Sequence, residues 1–162
     1  MLSLAHMEIN VLVDKGYKSQ VKSAWLKSIV RQIQNAENVV VNSEMGLVIT
    51  GDEKIQELNL KYLAEDRPTD VLSFPMNEHV GGKPLFIEVP DGKTHLGDIM
   101  ISYPTAIKQA AAHKHPVSQE ITILLIHGIL HLLGYDHDIP QRKRLMKNRE
   151  SAILKTIEEQ GT

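Results

Sequence analysis

The chain has 162 residues, 42% of them apolar, with a formal net charge of −2 and no cysteine. That is enough apolar material for one domain, 1–162, with a real core; it excludes disulfides and thiolate metal ligands, and fits a reducing compartment. The near-neutral charge excludes overall attraction to nucleic acid, so any such contact must come from a local patch. The longest purely apolar run, Ile123 to Ile126, is far too short to span a membrane, and Met1 to Met7 lacks the features of a signal peptide. A cytoplasmic protein without a membrane partner is the expectation.

Met7 to Val13 alternates apolar and polar residues and predicts a first strand. Val21, Ala24, Trp25, Ile29 and Ile33 recur at helical spacing and predict an amphipathic helix. Gly46 to Thr50 reads as a second strand, and Thr50-Gly51-Asp52-Glu53 as a capping box opening a helix that bears Ile55, Leu58 and Tyr62. A turn at Asp66 to Asp70 precedes a short strand, Val71 to Phe74, closed by Pro75 and suited to a sheet edge. Asn77 to Thr94 reads as a loop or irregular hairpin.

Leu96 to Ser102 predicts another strand, and Ser102-Tyr103-Pro104 caps a helix to about His113. His115 to Ser118 restarts the chain into a helix apolar at nearly every position from Ile121 to Leu133, which must therefore be buried. Two residues apart on a helix, His113 and His115 would diverge and read as surface residues. A last helix spans about Pro140 to Glu159, with Leu145, Met146, Ala152, Ile153 and Ile157 facing inward. The pattern predicts an α+β fold: a small mixed sheet in α/β-type layers packed by helices, with the histidine-bearing helix in the core.

That helix carries the chemistry. His127 and His131 stand four apart on one helical face, and Gly134 can end the helix in a left-handed turn that returns His137 to the same place. Three neutral imidazoles suit one Zn²⁺, with a fourth position left for water, whose pKa falls to around 7 on the metal. Zinc proteases of the metzincin type place a Glu after the first histidine, whereas this chain has Gly128, so a peptidase lacks its base. Asp136 and Asp138 are candidates to orient a ligand, or to complete the shell of a structural zinc. Each buried imidazole also needs a partner, and no obvious one stands nearby in the sequence.

The run His127-Gly128-Ile129-Leu130-His131-Leu132-Leu133-Gly134-Tyr135-Asp136-His137 resembles the signature of the YbeY family of bacterial endoribonucleases. Leu58-Asn59 through Tyr62, the run Arg67 to Pro75, and Leu96-Gly97-Asp98-Ile99 with Ile101-Ser102 resemble further family segments in the family's order. The resemblance implies a metal-dependent, single-strand-directed endoribonuclease that matures the 3′ end of small-subunit rRNA and serves ribosome quality control. Its partners would be single-stranded rRNA, the small ribosomal subunit and its assembly factors. It also implies one Zn²⁺ on His127, His131 and His137, with Arg67 and His127 catalytic. A guanidinium beside the metal can hold the charge that gathers on a phosphodiester; by itself, Arg67 would read as a turn residue paired with Asp66 or Asp70. Asp70, Ser73 and Asp98 read as structural.

Where relatives often carry an acidic run after the last histidine, this chain has Arg142, Lys143, Arg144, Lys147 and Arg149. Arg142, Lys143, Arg144 and Lys147 are candidate RNA contacts; the alternative is a solvated helix face. Two other functions fit the same zinc: a hydrolase of another substrate class, and a non-catalytic ribosome-assembly factor with a closed, structural site.

Overall fold

The computed structural model describes residues 7–37, 42–65, 67, 69–76 and 94–160. Four strands, β1 (Met7–Val13), β2 (Ser43–Thr50), β3 (Val71–Pro75) and β4 (Thr94–Ser102), form one mixed sheet in the order β1-β2-β4-β3. β1, β2 and β4 run parallel, and β3 closes one edge antiparallel to β4. The helices are α1 (Ser23–Ala36), α2 (Asp52–Leu63), α3 (Tyr103–His113), α4 (Val117–Leu132) and α5 (Pro140–Gln160). The α+β expectation holds, including Pro75 at the end of an edge strand, where its missing N–H costs no ladder bond. The expected hairpin over Asn77 to Thr94 lies outside the described residues, except that Thr94 begins β4.

Alternation along β2 buries Ser43, Met45, Leu47 and Ile49, which with Ile99 and Ile101 of β4 make the centre of the core. α4 is buried on nearly all sides, as its composition requires: it packs on β3 and β4 and is enclosed by α1, α3 and α5. Gly128 permits this approach. A Cβ there would lie 3.0–3.1 Å from Ile99 side-chain carbons and 3.2 Å from Ser73 Oγ.

Three details differ from the sequence expectations. Thr50 does not cap α2: it still belongs to β2, and its hydroxyl donates to Asp14 Oδ2 at 2.5 Å, so Gly51 occupies the cap. Asp52 instead ties α2 to α3 by accepting the hydroxyls of Ser102 and, at 2.6 Å, Thr105. Burial raises the Asp52 pKa, but those hydroxyls and the charge of Lys108 outweigh it and hold the carboxyl below its usual value. On α5, Met146, Ile153 and Ile157 are buried against α4 and α1, whereas Leu145 and Ala152 lie outside that stripe and are exposed. Finally, His113 and His115 do not diverge. α3 ends at His113, and Lys114, at φ +57°, turns the chain back so that the two rings lie 5.4 Å apart.

Opposite Glu44 and Met45 of β2, β4 inserts Leu96 as a bulge, and Gly97 follows at φ +136°. A Cβ on Gly97 would fall 2.3 Å from the Phe74 carbonyl oxygen and 2.9 Å from Leu132 Cδ2. Gly97→Ala therefore meets both a disfavoured backbone and a filled space, and should lose about 2 kcal/mol or more of stability. Denaturant unfolding checks this: a midpoint equal to that of the unsubstituted chain would contradict the packing of β3 and α4 on this bulge.

Candidate metal centre

α4 ends beside the open edge of the sheet. Gly134, at φ +103°, follows the last helical turn; its N–H donates to the His131 carbonyl at 3.1 Å and the Tyr135 N–H to the Leu130 carbonyl at 3.0 Å. This is the paired bonding of a Schellman turn, which satisfies two carbonyls at the helix end and reverses the chain. The reversal returns His137 to His131, with ring centroids 5.1 Å apart; His127 and His131 stand at 4.7 Å, and His127 and His137 at 6.0 Å. One ring nitrogen from each residue falls within 4.8 Å of the others. His127 and His131 are half-buried and His137 is exposed.

The set fits a borderline-soft divalent ion. His127 Nδ1 lies 3.0 Å from Glu150 Oε1 on α5, which places the proton on Nδ1 and leaves Nε2 as the ligand atom. His131 is held below the usual imidazole pKa, first by burial and then by the charges of His127 and His137. A neutral imidazole with a free lone pair is what a metal requires. The partner that the sequence did not reveal is thus Glu150. It stands 23 residues after His127, and no periodicity relates it to the motif; only the packing of α5 on α4 brings it there.

The three imidazoles open onto a cavity of about 620 Å³. Val71, Leu72, Ser73 and Pro75 of β3 form one wall, and Leu63 at the end of α2 and the turn from Gly134 to Asp136 form others. Asp136 lines this cavity, but its Oδ1 accepts the His137 N–H at 2.7 Å. Asp138 accepts the Ile139 N–H at 3.0 Å and pairs with Arg142 at 2.9 Å. Among the described residues, neither aspartate belongs to the group whose ligand atoms converge. A Cβ on Gly128 would meet Ile99 and Ser73 of the sheet at 3.0–3.2 Å, so a larger side chain at that position would need those neighbours to give way.

Arg67 is exposed and lies on the connection between two cavity residues, Leu63 and Val71. Its guanidinium pairs with Glu65 at 3.1 Å, and not with Asp70, while Asp66 lies outside the described residues. Buried Asn59 donates from Nδ2 to the Arg67 carbonyl at 2.9 Å and so fixes the backbone of this turn. Asp70 accepts the Val71 N–H at 2.7 Å and holds the start of β3. Lys143, Arg144 and Lys147 are exposed on α5, as is Arg142 beside Asp138. Arg149 turns the other way: its Nε donates to Glu37 at 2.6 Å, tying α5 to α1. Glu37 also accepts the Tyr135 hydroxyl at 3.3 Å, and burial together with that carboxylate raises the tyrosine's pKa.

A family model described as endoribonuclease YbeY matches residues 9–158. An endoribonuclease YbeY of Dehalococcoides mccartyi (strain 195) is 48% identical over 158 residues, covering 95% of this chain and 92% of the relative. One from Roseiflexus sp. (strain RS-1) is 36% identical over 157 residues, covering 96% of each. A solution structure from Thermotoga maritima superposes with a TM-score of 0.60 over 92% of this chain and 88% of that one, at 22% identity, and shows the same fold.

Two measurements test the site. Glu150→Ala removes the carboxylate that orients His127, and should weaken metal affinity by about 10–100-fold while leaving the fold intact; an unchanged binding isotherm would remove Glu150 from the site. The lowered His131 pKa gives a sign for the metal-free protein. Unfolded, this histidine takes up its proton near pH 6.5, whereas the folded state resists it to lower pH. Stability of the metal-free fold should be fully present above about pH 6.5 and fall below it. Denaturation midpoints between pH 7.5 and 5.5 that fail to decline would contradict a neutral His131.

Proposed function

The chain belongs to the YbeY family of endoribonucleases, and from that premise we propose that it is a metal-dependent, single-strand-specific endoribonuclease. Its substrate is the 3′ end of small-subunit rRNA, in maturation and quality control of the small ribosomal subunit in the cytoplasm, with assembly factors as partners. The observation that carries the metal-dependent reading is the convergence of His127, His131 and His137 on one point of a solvent-open cavity. When bound there, Zn²⁺ supplies a Lewis acid that stabilises charge on phosphodiester oxygens.

The chain's own residues do the rest. Glu150 keeps the His127 ring oriented, and burial keeps His131 neutral. Arg67 clamps the scissile phosphate. Its exposed pair with Glu65 is of a kind worth about 0–1 kcal/mol, so exchanging that carboxylate for a phosphate costs little, and the Asn59 bond holds the turn while the guanidinium moves. A phosphate accepts two parallel N–H bonds from a guanidinium, and these strengthen as charge grows in the transition state. An extended single strand lies along the β3 wall of the cavity. Lys143, Arg144 and Lys147 add salt-dependent contacts to flanking phosphates, with Arg142 joining when it leaves Asp138.

Cleavage of an end-labelled single-stranded 3′ rRNA fragment by metal-loaded protein tests this reading, with a duplex of the same sequence as control. The single strand should be cut and the duplex spared. His127→Ala should abolish cleavage, and Arg67→Ala should retain the metal yet lose about a hundredfold or more in rate. A fully metal-loaded protein that leaves the single strand intact would overturn the proposal; wild-type cleavage by Arg67→Ala would remove the phosphate clamp.

A further inference from the structure

A second group of ligand-type side chains lies at the other end of α4. Glu120, in its first turns, is 2% exposed. A carboxylate so enclosed needs charge compensation as well as hydrogen bonds. Two imidazoles converge on the same carboxylate oxygen: His115 Nε2 at 2.5 Å and His113 Nδ1 at 3.2 Å from Glu120 Oε2. The three ligand atoms all lie within 4.8 Å of one another. A tetrahedral ion with bonds of about 2.0–2.1 Å separates its ligands by about 3.3 Å. The His113–Glu120 separation already matches that edge, and the His115–Glu120 contact must open by about 0.8 Å to reach it.

We propose that His113, His115 and Glu120 form a second divalent-metal site, taking an ion of the zinc class. Two neutral imidazoles and one carboxylate are a ligand set that zinc uses with positions left for water. The gradation of burial suits that arrangement: Glu120 is enclosed, His115 is 16% exposed and His113 58% exposed, so the open positions face solvent. The ion would take a lone pair from each imidazole and supply positive charge beside the enclosed Glu120 carboxylate. Because the ligands straddle the reversal at Lys114, the bound ion staples the end of α3 to the start of α4.

This site is separate from the first. Glu120 and His127, the nearer ligand of the first group on α4, are seven positions apart, about 10 Å along the helix axis, too far to share an ion. Its occupancy is therefore independent of the ribonuclease reading and of Glu150.

The test is equilibrium dialysis of the full chain against Zn²⁺, with metal content measured for the unsubstituted protein, His113→Ala and His127→Ala. His113 is exposed, so its removal leaves the core untouched. The unsubstituted chain should bind two equivalents, the second more weakly. His113→Ala should bind one and keep its RNA cleavage. His127→Ala should also bind one, through the proposed pair of histidines and Glu120. Raising Zn²⁺ beyond one equivalent should raise the Tm of the unsubstituted chain and not that of His113→Ala. Saturation of the unsubstituted chain at a single equivalent that His127→Ala abolishes would overturn the proposal. So would a second equivalent that survives in His113→Ala.

Discussion

The close seating of α4 on the sheet is the constraint from which the rest of the architecture follows. An apolar helix must be covered on nearly every side, and Gly128 removes the one side chain that would lift it from Ile99 and Ser73. With the helix pressed onto β3 and β4, its polar positions have few places to go. His127 and His131 emerge where β3, the edge strand, leaves a wall open to solvent. Glu120 has no such exit and is buried at the opposite end, where His115 and the exposed His113 reach its carboxylate. The same glycine leaves no carboxylate next to the first histidine, and the carboxylate that meets that histidine, Glu150, comes from another helix.

That carboxylate, Glu150, illustrates how the fold prepares a ligand. Hydrogen bonding at Nδ1 sets the tautomer of His127, and partial burial among neighbouring imidazoles disfavours protonation of His131. Both effects free lone pairs at neutral pH, which lowers the proton competition that any divalent ion must overcome. The turn that carries His137 is fixed just as deliberately. The N–H groups of Gly134 and Tyr135 satisfy two helix-end carbonyls, and the Tyr135 hydroxyl reaches Glu37, which Arg149 holds from α5. A cation in a run that reads as a basic surface is thus part of the scaffold behind the site.

The outer part of the site is organised differently. Arg67 stands on a turn whose backbone is anchored by Asn59 but whose side chain, among the described residues, is bound only to an exposed neighbour. A fixed backbone with a loosely held guanidinium suits a group that must meet a flexible anionic chain, because little is given up when the partner changes. The exposed cations of α5 have the same character. The converging imidazoles are thus held by burial and Glu150, whereas the cations at the rim are exposed.

The sequence by itself determined the elements and the convergence of the three histidines. Alternation in β1, the capping serine before α3, the edge position of β3 and the reversal at Gly134 were all legible because each depends on neighbours in the chain. The three histidines were legible for the same reason: two share a helical face and the third follows a local turn. Only the tertiary structure decided what depends on distant partners. It assigned Glu150 to His127, kept Thr50 in β2 on Asp14 rather than in a capping box, exposed Leu145 and sent Arg149 to Glu37. The pairing of His113 with His115 required knowing that α3 stops between them, since one left-handed residue converts divergence into convergence. Local periodicity fixes the direction of a side chain relative to its own element; which group it meets there depends on how whole helices pack, and no spacing in the chain encodes that.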